Sequence, residues 1–239
     1  FYTKWLVDLD DAQGIEGDFP DVAPRKCAEG GGTAAWADAG VICPWTVHHV
    51  YSDDELVIRH FEAMKKWIAY CEKNSENLLR PNEGYGDWVS IDSYTPKDVI
   101  GTAYFAYSTK LLSEMAYNVG FVEDGKKYED LFNKIKKAFN DAYVEKESCK
   151  IKGDTQTCYA MALAFDLLSD SDREKAGKLL YERVKEKNWH LSTGFVGLSY
   201  LLPSLTETGN LDVAYKLLLN DTFPSWGYSI KNGATTIWE

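Results

Sequence analysis

The apolar positions of this chain fall into two alternating textures. Some segments repeat apolar residues at three- and four-residue steps with charges between them, and others are apolar nearly all round. Residues 1–13 place Trp5, Leu6 and Leu9 on one stripe and predict a helix. Residues 36–51 are apolar on almost every side and predict a buried helix, kinked or broken at Pro44. Asp53, Asp54 and Glu55 suit a helix start, and residues 53–72 then set Leu56, Phe61, Met64, Ile68 and Cys71 near one stripe. Thr95-Pro96 opens the next helix, 96–119, again apolar and aromatic. Residues 123–143 return to the amphipathic texture with many lysines outward. The alternation continues as 154–168 buried, 171–187 charged, 193–207 buried, and a short amphipathic helix ending near 219. No strand pattern interrupts it, beyond room for short strands at Ile230 and Ile237.

Buried helices therefore begin near residues 36, 96, 154 and 193, each followed by a surface helix. The spacing is irregular and residue identities do not repeat, so the repeat is architectural: inner helix, turn, outer helix. The predicted fold class is all-α, an incomplete (α/α)6 barrel of helical hairpins. Such a ring closes with about six hairpins, and this chain supplies four plus the lone first helix. The expectation is one domain over 1–239 that lacks upstream and downstream portions of a longer one. Between helices, residues 14–33 form a long loop with Pro20, Pro24 and three consecutive glycines, of the kind that is functional or disordered. Asp18-Phe19-Pro20-Asp21 in this loop is placed to line a cleft. In the last stretch, 223–239, Pro224 and Gly227 read as breaks around Trp226, and Asn232-Gly233 as a turn.

With 239 residues and 45% hydrophobic content, the chain can bury a sizeable core. A net charge of −11 argues against nucleic acid and against an anionic membrane as partner. No apolar run reaches the roughly 20 residues of a membrane span. The chain opens on Phe1 rather than Met, which suggests processing or a cut. Its five cysteines are scattered, without CxxC or Cys/His spacing, so neither a disulfide framework nor a metal site is indicated. Free thiols favour a reducing, cytoplasmic compartment. His48 and His49 are adjacent on a helix and diverge by about 100°, which disfavours a shared metal. No cofactor is called for. Eight Trp and fifteen Tyr exceed what such a core needs and suit a carbohydrate-active protein.

In an inner/outer ring, the loops entering the inner helices share one end. Those loops carry Trp36 and Asp38, Asp87 and Trp88, Asp154 and Gln156, His190 and Thr193, and by extension Trp226, Trp238 and Glu239. Polar and aromatic residues converging on one mouth are what a ligand pocket requires. Plainer readings stand beside this one. Asp154 fits a helix N-cap; capping explains Asp38, inside its helix, and Asp87, between Gly86 and Trp88, less well. His190 is equally a histidine packed between helices, Trp226 and Trp238 are equally core aromatics, and Glu239 is equally a solvated residue.

An ordered set of motifs then narrows the field. Phe1-Tyr-Thr-Lys-Trp-Leu, Asp18-Phe-Pro-Asp-Val-Ala-Pro24, Trp36-Ala-Asp-Ala-Gly-Val-Ile-Cys-Pro-Trp45 and Gly86-Asp-Trp88 run in order along the first half. Thr102-Ala-Tyr-Phe-Ala-Tyr-Ser108, Asp154-Thr-Gln-Thr157, Thr193-Gly-Phe-Val-Gly197, Pro224-Ser-Trp-Gly-Tyr228 and Gly233-Ala-Thr-Thr-Ile-Trp-Glu239 follow. Together they resemble the catalytic domain of bacterial α-L-rhamnosidases, glycoside hydrolase family 78. The resemblance implies an (α/α)6 barrel that hydrolyses terminal α-L-rhamnosides with inversion, acting on a rhamnose-containing glycoside or polysaccharide. It implies Glu239 as general base, Trp36 and Trp88 as walls against the rhamnose, and Asp38, Asp87, His190, Trp226 and Trp238 as further pocket residues. The family's general acid lies in an Asp-Glu-Arg-Leu-Gly-Trp motif that this sequence lacks, so the chain alone is expected to be inactive. The rival expectations are a non-catalytic sugar-binding helical module, another (α/α)6 glycosidase, or a helical scaffold with every Trp in the core.

Overall fold

The computed structural model describes residues 1–26 and 30–237. Among these, ten helices form and no strand does; three isolated bridges, Pro20–Gly31, Glu76–Leu79 and Val144–Ile151, are the whole of the extended pairing. Ile230 lies in a helix, not a strand. No helix among the described residues is long and apolar enough to cross a membrane. The chain divides into two compact units, one of Phe1–Tyr85 with Gly101–Phe139, the other of Gly86–Ile100 with the residues from Asn140 onward.

The first unit contains α1 (Tyr2–Asp11), α2 (Ala39–Tyr51), α3 (Asp54–Lys73), most of α4 (Lys97–Asn118) and most of α5 (Val122–Tyr143). Helix α3 starts where its acids predict: the Asp53 carboxylate accepts from Leu56 N at 3.0 Å. Its inner stripe, with Val57, Met64, Trp67 and Ile68, is fully buried. Helix α1 docks on α3 through Asp10, which lies 2.6 Å from His60 Nδ1, and Gln13 donates to the Ala63 carbonyl at 2.8 Å. Pro44 does not divide α2, which is a single helix from Ala39; the residues before it, Trp36 and Ala37, are a turn. Burial of α2 is less complete than its all-round apolarity predicts. Val41 and Pro44 are buried, but Val50 and Tyr51 at its end are exposed. Phe19 is fully buried 6.2 Å from the Trp67 ring, so the Asp18–Asp21 loop is anchored in the core at that residue.

The second unit contains the remainder, α6 (Gln156–Ala164), α7 (Asp170–Glu186), α8 (Phe195–Glu207), α9 (Leu211–Leu218) and α10 (Trp226–Lys231). Helix α6 is its axis: residues 156–163 are all buried, and it packs against both α7 and α8. Thr155, rather than Asp154, caps it, its hydroxyl accepting from Cys158 N at 3.2 Å. Ser169 caps α7 in the same way. Helix α8 continues through Pro203 and buries Val196, Leu201 and Leu205. The six-residue α10 departs from the irregular backbone expected around Trp226. Pro224 precedes the helix, and Ser225 caps it by accepting from Tyr228 N at 3.1 Å. Gly227, read as a breaker, is inside it because a Cβ there would lie 2.4 Å from the Asn220 carbonyl oxygen.

Candidate active site

In the first unit, the turn that carries Trp36 is fixed by Asp38. This carboxylate is 1% exposed and accepts from Ala35 N at 2.8 Å, from Trp67 Nε1 at 3.0 Å and from Ser108 Oγ at 2.7 Å. Three donors on α3, α4 and the turn itself therefore meet one buried acid. Burial pushes the Asp38 carboxyl above its ordinary range, and these hydrogen bonds together with the Arg80 charge pull it partway back. Trp36 is half-buried and packs edge-on against Tyr85, with ring centres 4.9 Å apart. The Tyr85 hydroxyl donates to Asp21 at 3.0 Å, and Asp21 also accepts from the Thr33 hydroxyl and backbone N–H. An aromatic corner thus stands on a buried polar foundation, and the Asp18–Asp21 loop supplies part of it.

In the second unit, the sequence Asp154-Thr-Gln-Thr157 is a hub at the start of α6. Thr155 Oγ1 meets Thr95 Oγ1 at 2.7 Å. Gln156, buried, donates to the His190 carbonyl at 3.0 Å and accepts from Ser192 N at 3.0 Å. Thr157 Oγ1 donates to Asp87 Oδ2 at 2.5 Å. Three successive side chains of one helix start fasten two loops, the α3–α4 connection at Asp87 and Thr95 and the segment before α8 at His190 and Ser192. Asp154 binds Arg183 at 3.0 Å and accepts from the Tyr159 hydroxyl at 2.5 Å.

Asp87 completes a second helix. It is 8% exposed and accepts from Gly194 N at 2.9 Å and Val196 N at 3.1 Å, serving the start of α8 from a loop more than 100 residues earlier. Anions are favoured there because the first N–H groups of a helix have no internal partner. Burial raises the Asp87 carboxyl, and the same hydrogen bonds oppose the rise. Phe195 N donates to the Trp88 carbonyl at 3.0 Å, so the next residue is held as well. The Trp88 side chain is 50% exposed, and Val89 after it has φ of +64°.

His190 is half-buried with both ring nitrogens engaged. Nδ1 faces the Lys187 carbonyl at 3.2 Å and Nε2 faces Thr222 Oγ1 at 2.8 Å. Because a carbonyl only accepts, Nδ1 carries a proton. Asn220 donates to the Trp189 carbonyl at 2.9 Å and accepts from Thr222 N at 3.0 Å. The strap leading to Trp226 is thereby tied to residues 187–190. Trp226, Val89, Thr193, Phe195, Phe223 and Ile230 line an apolar groove of about 350 Å³.

The structure thus groups Asp87, Trp88, His190 and Trp226 in one unit and Trp36 with Asp38 in the other. Trp238 and Glu239 lie outside the described residues. Among those described, no group of three or more His, Cys, Asp or Glu is placed to hold a metal ion. Cys43, Cys71, Cys149 and Cys158 are free, while Cys27 is outside the described set. The sequence did not single out Thr157 or Gly194 as partners of Asp87; those contacts span 70 and 107 positions, and no local pattern announces them.

Ten helices joined by loops that carry Trp and Asp, with no strand among the described residues, define this chain as an all-α protein. Residues 1–239 match the family described as the bacterial alpha-L-rhamnosidase 6 hairpin glycosidase domain, and the chain belongs to that family. An alpha-L-rhamnosidase of Streptomyces avermitilis is 50% identical over 239 residues, covering all of this chain and 23% of the relative. The crystal structure of Streptomyces avermitilis alpha-L-rhamnosidase complexed with L-rhamnose superposes with a TM-score of 0.96 at 50% identity, over 99% of this chain and 23% of that one. The alpha-L-rhamnosidase of Dictyoglumus thermophilum gives 0.92 at 32% identity, over all of this chain and 28% of that one. The chain spans about a quarter of the length of the relatives it matches. The all-α (α/α)6 reading of the sequence agrees with these neighbours.

Proposed function

We propose that the protein containing this chain hydrolyses terminal α-L-rhamnosides with inversion at the anomeric carbon. The observation that carries this reading is the match of the whole chain, at 50% identity, to a relative whose structure is complexed with L-rhamnose. The side-chain chemistry supports it. Rhamnose presents C–H faces and a C6 methyl, which suit indole walls such as Trp36 and Trp88, each on a turn fixed by a buried carboxylate. Asp38 holds the turn of Trp36 in one unit, Asp87 the turn of Trp88 and His190 the strap before Trp226 in the other, and Trp226 and Trp238 are assigned to sugar binding by the family resemblance.

Glu239 is the general base. An inverting glycosidase needs one carboxylic acid to protonate the leaving oxygen and one carboxylate, about 6.5–9.5 Å away, to activate water. The base removes a proton from that water as its oxygen bonds to the anomeric carbon, and the acid gives its proton to the departing aglycone. These 239 residues contain no counterpart of the family's acid motif. As an isolated polypeptide they hydrolyse aryl rhamnosides negligibly, since general acid catalysis contributes about 10²–10⁴-fold.

Proton NMR of the first product from an aryl α-L-rhamnoside tests the stereochemistry in the full-length protein. β-L-Rhamnose appearing before mutarotation is the expected result; initial α-L-rhamnose would overturn the inverting mechanism.

A further inference from the structure

We infer that Asp87 is a positioning residue which sets the Trp88 indole through the start of α8, without itself touching the sugar. This rests on the reading of Trp88 as a wall of the rhamnose site. Both Asp87 oxygens are taken by the protein: Oδ2 by Thr157 Oγ1 and Gly194 N, and Oδ1 by Val196 N. The backbone repeats the clamp from the other side, with Phe195 N donating to the Trp88 carbonyl at 3.0 Å and Ile91 N to the Ser192 carbonyl at 3.2 Å. Ser90 N donates to the Asp87 carbonyl at 3.1 Å, closing the turn around Trp88.

The fit leaves no slack. A Cβ on Gly194 would lie 2.1 Å from the Trp88 carbonyl oxygen and 2.8 Å from Asp87 Oδ1. Residue 194 is therefore glycine for close approach, its φ of −93° being open to any residue. The Trp88 side chain nevertheless stays half-exposed. With Asp87 bound to the start of α8 and the Trp88 carbonyl bound to Phe195 N, the backbone that carries the half-exposed indole is held on both sides. Reaching into a preset wall avoids the ordering cost that a mobile one would impose on each substrate.

Two variants of the full-length protein probe this. Asp87→Asn keeps the volume but offers an amide N–H₂ where only acceptors fit. Thr157→Val removes a single donor and leaves Asp87 intact, so it is available if the first variant fails to fold. With tryptophan replaced by 5-fluorotryptophan, the Trp88 ¹⁹F resonance is assigned by its loss in Trp88→Phe. In either variant the Trp88 resonance should move while most other indoles stay. With an aryl α-L-rhamnoside, Asp87→Asn should raise KM by roughly threefold or more in the wild-type background and add nothing in Trp88→Ala. A role in stability alone would leave KM per folded molecule unchanged. An unmoved Trp88 resonance in both variants, or KM effects that multiply in the double variant, would overturn the inference. If the wild type turns over no rhamnoside while the resonance still moves, the functional reading falls and the clamp stands.

Discussion

Asp38 and Asp87 show what burial does to an acid that is held by several donors. Each gives up water, at a cost of several kcal/mol, and each recovers part of it from three or more donors. Removing the acceptor strands the donors. Asp38→Ala should therefore lower the unfolding free energy by about 3 kcal/mol or more, read by urea denaturation. The pH dependence has a definite sign. Burial lifts the native Asp38 carboxyl above its ordinary 3.8, so the native state holds that proton to higher pH than the unfolded chain does. The group's own contribution is greatest below 3.8 and is lost as pH rises through the native value. The stability gap between wild type and Asp38→Asn should consequently widen as pH is lowered from neutral. A gap that narrows on acidification would contradict the assignment. From sequence, both aspartates were set apart from ordinary caps. The structure corrects the position of Asp38, which stands at the N-cap of α2 rather than inside it, yet its carboxylate makes no capping bond there and serves Ala35 N, Trp67 and Ser108 instead. Their partners, Trp67, Ser108, Thr157 and the start of α8, were not readable, because they are set by tertiary packing across 29 to 109 positions.

At the scale of elements, periodicity carries far where one face is buried. Helices α3, α5 and α7 have an apolar stripe and a charged face, and their observed bounds fall within a residue or two of the expected ones. Periodicity fails at α10, where six residues are too few for a pattern and Pro224 and Gly227 counted against a helix. The missing information was a contact: the Asn220 carbonyl lies where a Gly227 side chain would be. Gly227→Ala should detach α10, an overpacking cost of about 1–3 kcal/mol. Hydrogen exchange would show this as faster exchange at residues 228–231 with α8 unchanged. Protection equal to wild type would mean that the close approach is not needed. Helix α6 teaches the converse. Its apolar run was legible as buried, but what the sequence did not show is that Thr155, Gln156 and Thr157 fasten two loops, the α3–α4 connection and the segment before α8.

For the whole molecule, hairpin architecture was legible from the alternation of inner and outer textures, and family membership from motifs in fixed order. In the proposed mechanism, what connects architecture to chemistry is Glu239. Its role rests on the Ala-Thr-Thr-Ile-Trp-Glu239 resemblance and on the requirement of inversion for a second carboxylate. The most direct test is hydrolysis of p-nitrophenyl α-L-rhamnoside by the full-length protein, wild type against Glu239→Gln. The account predicts a loss of kcat of about 10²-fold or more, with L-rhamnose binding retained, because the amide keeps the shape but takes no proton from water. Near-normal turnover in Glu239→Gln would contradict it.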